Sequence, residues 1–146
     1  MNCEELMTRD PVCCVPSDTV QKAAQLMKSE NIGPIPVVVD ERDKTLVGIV
    51  TDRDLALRVV AEALDAKSTM VQEVMTSGAI ACLAEDDLRD ALYAMEQYQL
   101  RRVPVIDSNQ QLIGIIAQAD IATRLQSAAH TAEVVEEISR SRATGG

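Results

Sequence analysis

Thr51 and Asp54 stand three residues apart in the segment GIVTDRDL, Gly48 to Leu55. A hydroxyl placed where a strand gives way to a helix can join the free N–H groups of the first helical turn in holding an anion. A carboxylate one turn further on offers two acceptor oxygens to a diol, and hydrogen bonds to a charged group contribute about 1.5–3 kcal/mol. Arg53, between them, supplies a cation for a phosphate. The same Thr-x-x-Asp spacing also fits a helix capping box, in which the two side chains serve only each other's backbone. The segment returns as GIIAQADI, Gly114 to Ile121, where Asp120 is kept but Ala117 replaces the hydroxyl. A reciprocal box needs both members, so the second copy retains an acid without its cap.

The duplication extends well beyond these eight residues. CEELMTRDPVCCVP, from Cys3, aligns with VQEVMTSGAIACLA, from Val71, at an offset of 68 that also pairs Asp18 with Asp86, Met27 with Met95 and Pro36 with Pro104. Gly48 and Gly114 are 66 apart, which places two surplus residues in the turn Asp40–Lys44 of the first copy. Within each copy the elements are legible. Val12–Val15 and Ile80–Leu83 are short apolar runs expected to be strands. Val20, Ala23, Ala24 and Met27, and likewise Leu88, Ala91, Leu92 and Met95, recur at i, i+3, i+4 and i+7, one apolar helix face each. Two apolar runs then flank a polar turn, predicting a hairpin. A second helix follows, marked by Leu55, Val59 and Ala63 and by Ile121, Leu125 and Ala128. Each copy is therefore β-α-β-β-α. A unit of about 60 residues buries only a modest core, so the copies are expected to pack together.

Composition excludes several kinds of work. A net charge of −9, with two tyrosines and neither Trp nor Phe, opposes nucleic-acid binding, which rests on basic contacts and stacking platforms. No apolar run reaches the ~20 residues of a membrane span. The acidic opening MNCEELMTRD lacks the regions of a secretory signal, which leads to the expectation of a cytoplasmic protein. The four cysteines form no Cys-x-x-Cys and the sole histidine is His130, so no zinc set is expected. Cys14 and Cys82 read as core residues and His130 as a helix-surface residue.

The order of these motifs, twice over roughly Met1 to Ala129, resembles the cystathionine-β-synthase (CBS) domain family. The resemblance rests on LMT and VMT, on Ile35-Pro36-Val37 and Val103-Pro104-Val105, and on the Gly-x-x-(Thr/Ser)-x-x-Asp ending. It implies an α+β fold of two tandem repeats packed sheet to sheet with pseudo-two-fold symmetry. The corresponding organisation is repeat 1 over residues 1–66, repeat 2 over 67–130 and a C-terminal helical extension and tail over 131–146. The resemblance further implies a small-molecule adenosine ligand in the clefts between the halves, with the hydroxyl on phosphate and the Asp on the ribose. Ile35, Pro36, Thr51, Arg53 and Asp54 are the candidate residues of copy one. Arg101, Arg102, Val103, Pro104 and Asp120 are those of copy two. The arginines stand where copy one has Gly33-Pro34, and they offer compensation for the missing hydroxyl. No obligatory cofactor is implied; AMP, ADP, ATP, NAD and S-adenosylmethionine all carry the adenosine.

On this reading the chain is a regulatory module without catalytic activity, associating as a homodimer. The rival readings are a ligand-free interaction scaffold and a small redox or nucleotide-processing enzyme, the last drawing on Cys13-Cys14. Val134, Val135 and Ile138 predict an apolar stripe on a C-terminal helix, followed by a flexible ATGG end.

Overall fold

The computed structural model describes residues 1–78 and 80–144, with side-chain surroundings through Ala132. The expected stripe at Val134, Val135 and Ile138 and the final glycines thus lie outside what is described. Helix α1 is Cys3–Leu6 and strand β1 is Thr8–Arg9. Then follow α2, Val20–Glu30, the hairpin of β2, Ile35–Val38, with β3, Leu46–Val50, and α3, Asp52–Leu55. The helix continues through a π-helical turn, Ala56–Val60. The second half holds a 3-10 turn, Val71–Glu73, strands β4, Thr76–Ser77, and β5, Cys82–Leu83, and helix α4, Leu88–Gln97. The hairpin of β6, Arg102–Ile106, with β7, Leu112–Ala117, leads into α5, Gln118–Thr144.

Local chemistry accounts for the borders. Thr19 caps α2, accepting from the Lys22 N–H at 3.2 Å, and Asp87 caps α4 through the Arg89 N–H at 2.8 Å. At the far ends Asn31 (φ +54°) and Gln99 (φ +56°) turn left-handed. These two positions are 68 apart, so the repeat extends to the stops of its helices. In the hairpin turns Asp40 accepts from the N–H groups of Arg42 and Asp43, and Asp107 from those of Asn109 and Gln111, as turn-forming Asp side chains do.

Three expectations are corrected. Of Val12–Val15 only Cys14 pairs, bridging Val37, and of Ile80–Leu83 only Cys82–Leu83 is strand. In the first case Pro11 and Pro16 bracket the run and, lacking N–H donors, confine the pairing. Ala63 is not on the helix face: it lies beyond the π turn with φ +54°. Ala24 and Ala128 are exposed, each at the edge of its apolar stripe.

The sheets are interleaved. The order is β1-β7-β6-β5 in one and β2-β3-β4 in the other. The short strand that opens each copy is therefore paired with the hairpin of the other copy, Thr8 with Ile115 and Thr76 with Ile49. The cores follow suit. Val71 and Val74 pack with Val20 and Ile35, whereas Cys3 and Met7 pack with Leu88 and Ile116.

This exchange explains both strand glycines. A Cβ on Gly48 would lie 2.7 Å from the Thr76 carbonyl oxygen, and one on Gly114 would lie 2.9 Å from that of Thr8. A strand glycine marks a close backbone approach, and here the approaching chain is the other half. The turns of the two hairpins are also joined. Gln111 Oε1 accepts from the Lys44 N–H at 3.0 Å, and its amide donates to Thr45 Oγ1 at 2.9 Å and Asp43 Oδ1 at 3.1 Å.

Candidate functional site

Strand β3 delivers Thr51 to the first position before α3. Its Oγ1 accepts from the Asp54 N–H at 3.1 Å, and Asp54 Oδ2 accepts from the Thr51 N–H at 3.0 Å. The capping box foreseen as one reading of this spacing is thus fully formed. Asp54 Oδ1 also lies 3.9 Å from Arg58 Nε, one turn along, with the carboxylate side chain 14% exposed.

A cleft of about 890 Å3 opens between the halves beside this box. Thr51, Asp52 and Arg53 line it from the first half, with the loop Asn31–Pro34; Gln99–Arg102 close it from the second. Its lining holds three arginines, Arg53, Arg101 and Arg102, and one acidic residue, Asp52. In a chain of net charge −9 that is a local reversal of sign, which concentrates anions. A narrower cavity of about 230 Å3 adjoins it, sharing Ile32, Pro34 and Arg102 and adding Pro11, Val12, Pro36 and Ile115 together with Thr8, Asp10 and Glu30. A third, of about 520 Å3, is lined by Arg101, Arg102, Ala117 and Gln118 at the start of α5.

The candidates named from sequence therefore separate. Thr51, Arg53, Arg101 and Arg102 come together in the large cleft, and Pro36 lines the small one. Asp54 stands behind Thr51 and is not among the cleft's lining residues. Asp120 is exposed at the start of α5. Ile35, Val103 and Pro104 are buried and line none of the three cavities; Ile35 and Val103 belong to the two hydrophobic cores. Asn31, Gly33, Asp52 and Gln99 were missed. Gly33 carries a signal in hindsight. Its carbonyl accepts from the Asp52 N–H at 3.1 Å, and that of Arg101 accepts from the Gln118 N–H at 2.7 Å. A Cβ on Gly33 would lie 3.1 Å from Asp52 Oδ1.

Among the described residues, no group of three or more His, Cys, Asp and Glu side chains is placed to hold a metal ion. Cys3, Cys14 and Cys82 are buried and Cys13 is partly exposed; burial pushes the Cys14 thiol up to about 11. His130 is exposed on α5, and no helix among the described residues is long and apolar enough to cross a membrane.

Two β-α-β-β-α units with exchanged leading strands and a basic cleft between them define a tandem-repeat module. The chain belongs to the CBS domain family, whose profile matches residues 3–61 and 71–127. It is 40% identical over 124 residues to the CBS domain-containing protein YhcV of Bacillus subtilis, covering 85% of each chain. Among solved structures, Hypoxic Response Protein I with two coordinated zinc ions is similar at a TM-score of 0.76 and 32% identity, over 84% of this chain and 98% of that one. CBSX2 in complex with AMP is similar at a TM-score of 0.73 and 25% identity, over 88% and 98%.

Proposed function

We propose that the chain is a regulatory module that binds an adenosine nucleotide in the cleft between its halves and does no chemistry on it. The observation that carries this reading is the convergence of the Thr51 hydroxyl with Arg53, Arg101 and Arg102 on one cleft of an acidic protein. Phosphate would sit among these groups at the start of α3. The apolar part of the adjoining cavity, Pro11, Val12 and Ile115, suits the face of an adenine ring, with Asp10 and Glu30 at its polar side. Asp54 would offer the ribose hydroxyls Oδ1, the oxygen that the box leaves free. The complex of CBSX2 with AMP supports AMP as the first ligand to try, with ADP, ATP, NAD and S-adenosylmethionine as competitors.

Calorimetry with each of these ligands, together with chromatography of the recovered nucleotide, tests the reading. Saturable binding of at least one, recovered unchanged, is the expected result; no heat from any of them would end it, and turnover would mark an enzyme. One observation favours the scaffold alternative: the capping box gives both Thr51 and Asp54 a structural role that needs no ligand. That reading gains if all five ligands are silent while the protein remains folded.

The homodimer belongs to the same proposal. Leu57, Val60 and Leu64 are exposed on and just after the π turn, Val60 at 76%, and such an apolar patch invites a partner. Sedimentation should give a dimer at micromolar concentration, and monomer alone, with and without AMP, would refute it.

A further inference from the structure

Arg58 and Arg124 occupy the same place in the two copies, four residues after Asp54 and Asp120 and 66 apart. Their surroundings differ. Arg58 Nη1 donates to the Val74 carbonyl oxygen at 3.0 Å while its Nε lies 3.9 Å from Asp54 Oδ1. Arg124 instead reaches Met1 Sδ at 3.2 Å, and it makes no ion pair with Asp120 among the described residues. The helix itself differs too. Around Arg58 it is π-helical, with the Ala61 N–H donating to the Ala56 carbonyl at 2.9 Å, whereas the matching stretch of α5 is α-helical. A π turn widens the helix by a residue and is frequently found at functional positions. Val74 lies two residues before β4, the strand that the second copy lends to the first half. One guanidinium therefore hydrogen-bonds the exchanged segment of the other repeat and stands at ion-pair distance from the carboxylate behind the cleft.

We propose that Arg58 is a positioning residue: it holds the Asp54 carboxylate in place for a ribose hydroxyl and straps the copy-one site to the segment leading into β4. The role toward ligand rests on the nucleotide reading above; the strap does not. A planar guanidinium can serve two acceptors at fixed angles, which a lysine ammonium cannot reproduce. Arg58→Lys is thus the informative variant beside Arg58→Ala. Asp54 contacts the ribose under this proposal, so a ligand lacking one ribose hydroxyl reports on whether Arg58 acts through it.

The test has two arms on the full chain. By calorimetry, Arg58→Ala and Arg58→Lys should each weaken AMP binding about three- to tenfold, as expected for coupled neighbours. They should weaken 2′-deoxy-AMP less, and add nothing further to Asp54→Asn. Equal losses for both nucleotides, losses additive with Asp54→Asn, or no loss at all would overturn the positioning role. By amide hydrogen exchange without ligand, both variants should speed exchange at Asp54 and at Thr76 while leaving Ala91 of α4 unchanged. Unchanged exchange at Asp54 and Thr76 would overturn the strap whether or not any nucleotide binds. If wild type binds no AMP but this exchange pattern holds, the nucleotide reading fails and the strap stands.

Discussion

Thr51 and Asp54 hold each other: hydroxyl to amide at 3.1 Å, amide to carboxylate at 3.0 Å. The two residues that sequence reading set aside for a ligand are therefore also the lock on the first turn of α3. The box uses the hydroxyl as an acceptor and only Oδ2 of the carboxylate, which leaves the hydroxyl proton and Oδ1 for a ligand. Each partner of the pair can be probed by substitution.

Asp54→Asn keeps the shape and removes the charge. Stability without ligand should fall by no more than about 0.3–1 kcal/mol, the worth of a charge at a helix terminus. AMP affinity should fall by about 1.5–3 kcal/mol, roughly 10- to 150-fold, if the carboxylate meets the ribose. Thermal melts without ligand and with AMP at 100 times the wild-type dissociation constant separate the two, since such a ligand stabilises wild type by about 2.7 kcal/mol. An equal drop in both conditions would leave Asp54 as a cap alone.

Ala117→Thr restores the missing hydroxyl of the second copy. Ala117 precedes the first residue of α5 with Asp120 three residues on, so the new side chain can complete a box. Stability should rise by about 1 kcal/mol, read as a higher urea midpoint. Calorimetry should show the weaker of two sites, or a newly visible one, tightening toward AMP. Two identical sites in wild type, untouched by the substitution, would contradict the asymmetry.

Gly114→Ala should disturb the exchange of strands. The added methyl would run into Met7 Sδ, with Met7 Cγ at 2.8 Å and the Thr8 carbonyl oxygen at 2.9 Å, so the Met7 side chain must turn away and β1 must move off β7. Overpacking of this kind costs about 1–3 kcal/mol, measured by urea unfolding. Gly48→Ala should act likewise through Thr76. Full stability in both variants would mean that the leading strands do not depend on this contact.

The thiols should divide in two. With Cys3, Cys14 and Cys82 buried, all three are shielded from reagent; burial also holds the Cys14 thiol up to about 11, whereas the hydrogen bond with Cys3 lowers that of Cys82, so burial is what keeps the set inert. A thiol-reactive disulfide reagent at pH 7.5 should modify Cys13 first and the others only on unfolding, as mass spectrometry of the labelled chain would show. Rapid labelling of Cys14 would revive a redox role for the Cys13-Cys14 pair.

Much of this protein follows from sequence by itself because its signals are local. The i, i+3, i+4, i+7 faces of α2 and α4, the Thr19 and Asp87 caps and the polar turns at Asp40 and Asp107 each depend on residues within one or two turns of chain. So does the Thr51–Asp54 box, whose two readings were both visible from the spacing. The duplication, read at offsets of 68 and 66, supplied the pairing of halves. What the periodicity could not decide was which half each leading strand joins. β1 and β4 are two residues long, and their repeat-equivalent glycine strands offer the same backbone ladder, so the local pattern fits either pairing. Only the packed molecule chooses, by placing Cys3 and Met7 in one core and Val71 and Val74 in the other. The cleft was hidden for the same reason: Arg101 and Arg102 lie about 50 residues from Thr51 along the chain, and only the folded halves bring their charges to its hydroxyl. Arg58 was written in both copies, but its grip on Val74 depends on a π turn and an exchanged segment that no spacing rule contains.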